Sequence, residues 1–362
     1  IIIRAEDKHS WVVAPTYYNQ PTNQGGGIGY GENNLFGTNK KLLLYAQVAT
    51  GDSFLVAGYI DPAILGSRFM WQVDTYLLRA RAIEYAAPED FTDKPREVRQ
   101  SKLNYLNSGI RLGVNMSRGL ALNVRLRGAR VFYDDTELAE GAVPEDLGDG
   151  VDAANLPEPG AEGWDVSTEV WLDYDRRANW YGLSDGYRYK MTFNQALTAL
   201  GSDFDYWTLQ LDFERAKRIK KSMNLIIKAV AAYGQDVPFQ GEFTAGGTNL
   251  RGYKNEQFRG NFKLGANVEY SVPAFSIKGV ALRLVGFYDT AYTTFLSTDD
   301  NVGRNYLPGH DQRGLSPFKN TIGVGTRLYI RQVVIPLLGL DLGYGIERNS
   351  YEIYLAIGLT DV

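Results

Sequence analysis

Residues 206–215 place Trp207, Leu209, Leu211 and Phe213 on one face of an extended segment, and Thr208, Gln210, Asp212 and Glu214 on the other. Residues 261–272 repeat the arrangement. There Phe262, Leu264, Ala266, Val268, Tyr270 and Val272 oppose Lys263, Gly265, Asn267, Glu269 and Ser271. The same alternation runs through 107–116, 187–194, 321–330 and 338–347. A period of two sustained over about ten residues makes strands with one apolar and one polar face. A soluble sandwich carries this alternation too, with its apolar face turned inward. Here the polar faces hold Asp, Glu, Lys and Arg on strand after strand, mixed with Gly. A water-filled interior and a lipid-facing exterior explain that better than a solvated sheet surface.

The spacing predicts about sixteen strands, near 11–18, 27–33, 41–50, 53–61, 68–82, 101–116, 120–133, 165–176, 187–198, 205–219, 222–235, 261–272, 280–291, 320–331, 337–347 and 351–360. The expected fold is all-β: a transmembrane antiparallel β-barrel over 11–362, preceded by a periplasmic N-terminal segment, 1–10. The long connections, 86–100, 134–164, 236–260 and 292–319, all follow odd-numbered strands, while those after even-numbered strands are short. An even strand count with long outer loops and short periplasmic turns places both termini in the periplasm. Composition agrees, with 39 Gly, 24 Tyr and no Cys among 362 residues. No apolar run approaches the roughly 18 residues of a membrane helix. The longest, 333–340, is broken by Pro336. No signal peptide opens the chain, as expected of a mature, trimmed or partial sequence.

One connection stands apart. Residues 243–261, FTAGGTNLRGYKNEQFRGN, are too polar for a strand and too long for a hairpin turn. Gly246, Gly247, Gly252 and Gly260 let the backbone fold tightly against other structure, and a loop this long is usually functional. The segment is expected to fold back into the barrel lumen with Leu250-Arg251-Gly252-Tyr253 near its tip. Glu269 and Asp289 lie on the polar faces of the two strands that follow. The Arg251 fork could bridge both carboxylates in charge-assisted hydrogen bonds; alternatively, each charge meets lumen water.

The remaining motifs predict no chemistry. Gly182-Leu183-Ser184-Asp185-Gly186 has the G-x-S-x-G spacing of a nucleophile elbow, but it falls between two strands. The only histidines, His9 and His310, are expected at opposite ends of the barrel. The glycine run 25–31 lacks phosphate-loop spacing and no helix follows it. No catalytic residue, metal site, cofactor or nucleic-acid partner is expected. The connection 134–165 is rich in Asp and Glu and reads as a solvated surface loop, with calcium or partner binding as the lesser reading. Arg215, Lys217, Arg218, Lys220 and Lys221 read as strand-end charges reaching lipid headgroups. Pro15 lacks a ladder donor on the first strand, and Gly358 lies near the end of the last. Together they mark the first-to-last seam as weakly zipped.

Several motifs resemble those of the BamA superfamily barrel, also called the bacterial surface antigen family of outer-membrane assembly and translocation proteins. They are Asn33-Asn34-Leu35-Phe36-Gly37, Asp61-Pro62, Asp173-Tyr174-Asp175-Arg176, Gly246-Gly247 leading into Leu250-Arg251-Gly252-Tyr253, the Glu269 strand and Phe287-Tyr288-Asp289-Thr290-Ala291. The resemblance spans essentially the whole chain. It implies a lumen-anchored Arg251 with Glu269 and Asp289 as acidic partners. It also implies residence in the outer membrane of a Gram-negative bacterium. The expected function is insertion or translocation of client polypeptides through a lateral seam, in contact with outer-membrane lipids and possible accessory periplasmic subunits. The alternative is a passive anchor or channel for an N-terminal passenger such as a patatin-like lipase. In either case the barrel is not expected to be an enzyme. Ala291 departs from the family's D-x-G, and Asp361-Val362 from its aromatic last residue. Members normally carry periplasmic receiver domains before the barrel, so this sequence is expected to be a barrel cut from a longer protein or a member lacking them.

Overall fold

The computed structural model describes residues 9–87, 95–180, 183–220, 222–277, 279–297, 303–310, 318–330 and 336–357. Sixteen strands form one closed antiparallel ring. They are β1 (Trp11–Gln20), β2 (Asn23–Leu35), β3 (Lys40–Ala49), β4 (Asp52–Asp61), β5 (Phe69–Tyr85), β6 (Glu97–Ser117), β7 (Leu120–Leu138) and β8 (Gly163–Asp175). The ring continues with β9 (Leu183–Ala196), β10 (Tyr206–Ile219), β11 (Met223–Gln235), β12 (Phe262–Ile277), β13 (Val280–Thr294), β14 (Lys319–Ile330), β15 (Pro336–Gly345) and β16 (Ser350–Ile357). Each strand pairs with its chain neighbour, and β1 pairs with β16 to close the circle. Closure leaves no free sheet edge, as a spanning sheet in hydrocarbon requires.

The alternation read from sequence sets the two faces. Along β13, Leu284 and Tyr288 are 46% and 42% exposed on the outside, while Arg283 and Asp289 on the other face are 5% and 0% exposed. On β14, Ile322 and Val324 point outward and Thr321 is buried. The arrangement follows from cost: a charged side chain set among lipid chains costs several kcal/mol, roughly 2–4 at the midplane of a barrel. The inner wall therefore collects its charges into pairs. Arg125 binds Asp74 and lies 3.3 Å from Glu169, and Arg127 binds Asp165 at 3.2 Å.

Short turns close one end of the ring. Arg118-Gly119 joins β6 to β7. Gly119 has φ +83°, and a Cβ there would come within 2.5 Å of the Asp175 carbonyl oxygen, so only glycine fits. β2 begins earlier than its sequence pattern suggests, because its glycines carry no side chains to register a period. They let β1 and β3 approach closely, and a Cβ on Gly25 would lie 2.4 Å from that of Ala49.

The other end is capped by the long connections. β5, β6 and β7 run several residues past their expected ends, and the extensions of β5 and β6 bury Tyr85 and Val98. Val98, Leu147 and Leu307 form a small core above the ring. Phe239, from the β11–β12 connection, packs with Leu103, Val131, Tyr133 and Tyr206. The acidic connection after β7 is thus only partly the solvated loop its composition suggests. Asp146 takes a two-pronged contact from Arg96, at 2.7 and 2.9 Å, and Gly160 bridges to Arg304. Its carboxylates are drawn down by cations that neighbouring segments present.

Candidate functional site

The connection between β11 and β12 starts with a turn of 3-10 helix at Phe239–Gly241 and a two-stranded ribbon, Phe243–Ala245 with Phe258–Gly260. The ribbon holds the residues between as a compact tip. Asn249 accepts a hydrogen bond from the Gly246 N–H at 3.0 Å, and the Gly247 N–H donates to the Tyr253 carbonyl at 3.1 Å. Leu250 and Tyr253 are almost fully buried with Ala245 and Ala291. The methyl of Ala291, where the resemblance predicts glycine, therefore fills part of this small core.

Arg251 is 2% exposed and binds three carboxylates. Its Nε and Nη2 donate to Asp289 at 2.8 and 2.7 Å. Its Nη1 donates to Glu269 at 2.6 Å and to Asp341 at 2.9 Å. The backbone N–H of Arg251 adds a fifth contact, to Asp289 at 3.2 Å, and Asn267 donates to the other Asp289 oxygen at 2.9 Å. The guanidinium carbon sits 3.5 Å from the centre of the Phe287 ring, so the plane not used for hydrogen bonds is stacked on an aromatic face. Arg327 of β14 returns charge to the cluster, donating to both oxygens of Asp341 at 2.5 and 2.9 Å.

Two guanidinium groups thus face three carboxylates, of which Asp289 and Asp341 are 0% exposed and Glu269 is 25% exposed. A buried charge is tolerable only when paired and fully hydrogen-bonded. Glu269 is the member that keeps contact with water. The sequence proposed Arg251, Glu269 and Asp289, and the structure brings these three together. It adds Asp341 and Arg327, which sequence reasoning left out. Their signal was present, since both are charged residues on polar faces of predicted strands. What was missing was the register that sets Arg327 and Gly339 side by side, two residues from Asp341.

The tip backbone lies directly on β15 and β16. The Gly252 N–H donates to the Tyr354 hydroxyl at 3.0 Å, and that hydroxyl donates to the Tyr253 carbonyl at 2.8 Å. Ser350 donates to the Gly252 carbonyl at 2.9 Å, and the Tyr253 hydroxyl donates to Glu347. Gly252 has φ +110°, and a Cβ on it would meet the Gly345 nitrogen at 2.6 Å. Gly343 would likewise run a Cβ into the Arg251 carbonyl carbon at 2.6 Å. Further along, Lys254 binds Glu97 of β6 at 2.9 Å and Asn255 binds Gln20 of β1 at 2.8 Å. The connection therefore ties the closing strands to distant parts of the ring.

β1 and β16 pair at Tyr17↔Ile357, Tyr18↔Ala356 and Asn19↔Leu355 among the described residues. β1 pairs with β2 along all ten of its residues, Pro15 lying opposite Ile28. Gly358 lies outside the described residues.

Ser184 sits at the turn end of the ring, where its N–H donates to Asn224 at 2.7 Å and its hydroxyl donates to Asn179. Gly182 lies outside the described residues. His9 stacks near Trp11, and His310 belongs to the cap, so no imidazole reaches Ser184. The Nε2–H of His310 donates to the Tyr85 carbonyl at 2.8 Å. Desolvation lowers the His310 pKa below its ordinary value; the Tyr85 contact and the Glu84 and Glu242 carboxylates oppose this, and Arg304 adds to it. In the unfolded chain the ring takes up a proton near its usual pKa of about 6.5. The unfolded cap thus binds more protons as pH falls through that value, and stability falls with it. Amide protection factors across 303–310, taken relative to the intrinsic exchange rate at each pH, are expected to fall severalfold between about pH 7.5 and about pH 5. His310→Gln keeps the hydrogen bond to Tyr85 and should remove that pH dependence.

Against family models, residues 34–359 match the Omp85 superfamily domain. The chain belongs to the Omp85 superfamily. Among solved structures it is similar to BamA from Haemophilus ducreyi lacking POTRA domains 1–3, with TM-score 0.69 and 14% identity, covering 98% of this chain and 71% of that one. It is also similar to CdiB from Escherichia coli, with TM-score 0.62 and 12% identity over 98% of this chain and 64% of that one. CdiB from Acinetobacter baumannii gives TM-score 0.58 and 15% identity over 96% and 59%. The chain thus spans less than two thirds of either CdiB. No curated protein matches it. This Omp85 barrel is an outer-membrane β-barrel of the class that works in transport and assembly.

Proposed function

We infer that this barrel inserts or translocates client polypeptide through the β1–β16 junction, as an outer-membrane insertase or translocase with its termini and short turns in the periplasm. The observation that carries this reading is the Arg251 loop, whose tip rests on β15 and β16 beside the β1–β16 junction of an Omp85 barrel. Backbone N–H and C=O groups released by parting that junction offer an edge to which an extended client strand can add. The tip braces β16 through Ser350 and Tyr354 and lies against Gly343 and Gly345 of β15, so the closing hairpin keeps its place when the junction parts. Clients fold downhill into the membrane, and the barrel supplies an edge and no bond chemistry. Accessory periplasmic subunits would deliver such clients.

The test is a disulfide between Tyr17→Cys and Ile357→Cys, which sit directly opposite each other. In proteoliposomes the oxidised pair should stop insertion of an unfolded barrel client, and reduction should restore it. A locked protein that still inserts clients at the unlocked rate would overturn the reading in favour of a passive anchor for an N-terminal passenger.

A further inference from the structure

On the outer surface of β9–β12 the side chains leave a depression of about 610 Å³. The registers show its construction. Phe213 stands opposite Ala229, which stands opposite Ala266, and in the next row Leu211 stands opposite Ala231. Alanine methyls make the floor, while Tyr189, Met191 and Leu211, 51%, 47% and 47% exposed, form one wall. Phe318 stands at the other side. A chain lying there touches protein on three sides where a smooth wall offers one, and dispersion contacts add accordingly.

The end of the groove toward the short turns is aromatic and then basic. Tyr174 and Tyr189 line it, and Tyr187 packs on both with ring centres 5.7 and 5.6 Å away. The Arg215 guanidinium lies over Tyr187 at 5.7 Å, and that of Arg176 over Tyr174 at 5.9 Å. Arg215 and Lys217 follow Phe213 on the same outward face of β10, about 7 and 13 Å further along the strand at 3.3–3.4 Å per residue. Neither pairs with a carboxylate among the described residues. Cations nearby do: Arg177 reaches Glu214 and Asp175, each at 2.7 Å, and Arg188 reaches Asp173 at 2.6 Å.

We propose that this groove is a binding site for one anionic phospholipid of the turn-side leaflet, an acyl chain lying over Ala229, Ala231 and Ala266 and the phosphate held by Arg215 and Lys217. The apolar groove and the outward cations need an amphiphile with negative charge at one end. A zwitterionic lipid brings its own ammonium to that end and gains less from two cations. The site lies away from the β1–β16 junction and does not depend on the function inferred for it.

Native mass spectrometry of the full chain, released from detergent with equimolar phosphatidylglycerol and phosphatidylethanolamine of matched chains, tests this. The wild type should retain one phosphatidylglycerol with at least a fivefold preference. Ala231→Phe with Ala266→Phe should fill the groove and remove retention while the barrel still migrates as folded. Arg215→Gln with Lys217→Gln, at exposed positions with no bearing on the fold, should keep a bound lipid and level the headgroup ratio. The proposal is overturned by no headgroup preference in the wild type, by undiminished retention in the filled variant, or by an unchanged ratio in the charge variant. A lipid-free dimer closed across the groove would overturn it as well.

Discussion

Arg251→Ala is expected to free the β11–β12 loop while leaving the barrel folded. Among the described residues, the substitution removes the only cation on Asp289 and one of two on Asp341, both of which stay buried. Stripping one partner from a buried ion pair costs about 3–5 kcal/mol when water cannot reach the group left behind. Glu269 opens a path for water, so the loss should fall in the lower part of that range. Protease sites within 243–261 should become accessible, and amide protection at Gly252 and Tyr253 should collapse. Resistance of the barrel to heat in detergent should change little, because the strand ladders do not run through this contact. Arg251→Lys should behave almost like alanine, since an ammonium cannot span Asp289 with a fork while also reaching Glu269 and Asp341. Asp289→Ala acts through the same contact, and the double variant should be no worse than the more damaging single one. Fully additive losses of loop protection would refute the coupling.

Arg304→Met should do to the cap what Arg251→Ala does to the loop. Arg304 is 4% exposed and lies between Glu84, at 3.0 Å, and Glu242, at 2.7 Å, the second of which is 0% exposed. Burial alone would lower the Arg304 pKa, and the two carboxylates hold it above its ordinary value. Its Nη1 also donates to the Pro159 carbonyl at 2.7 Å, and its guanidinium stacks beside Phe239 and Tyr306. One side chain therefore joins strand β5 and three long connections. Without it, Glu84 keeps Arg99 at 2.6 Å, but among the described residues Glu242 keeps only the looser Arg259 at 3.7 Å. The expected cost is again about 3–5 kcal/mol, confined to the cap. Hydrogen exchange should rise together at 157–162, 239–242 and 303–307 while the β10–β12 ladders remain protected. Glu242→Gln on the Arg304→Met background should recover part of the loss by removing the orphaned charge. A cap that exchanges no faster in Arg304→Met would show that its loops are held by their apolar contacts alone.

The strand number, the two faces of each strand and the identity of the long connections were legible in the chain alone. They rest on local quantities: a side-chain period of two, glycine and proline punctuation, and the cost of a charge in hydrocarbon. Arg251, Glu269 and Asp289 could be singled out because they sit close in sequence on one loop and the two strands after it. Asp341 could not be joined to them, although its place on a polar face was plain, because its contact with Arg251 spans 90 residues. Contacts of that reach depend on the register of every strand between and on the path of a loop with no periodicity to read. The same holds for Gly343 and Gly345, which look in sequence like weak points of a strand and in the structure are the surface on which Gly252 rests. The cap was hidden for a related reason. Glu84, Arg99, Glu242 and Arg304 come from separate segments outside the expected strands, and only the closed ring brings them near enough to lose their water together.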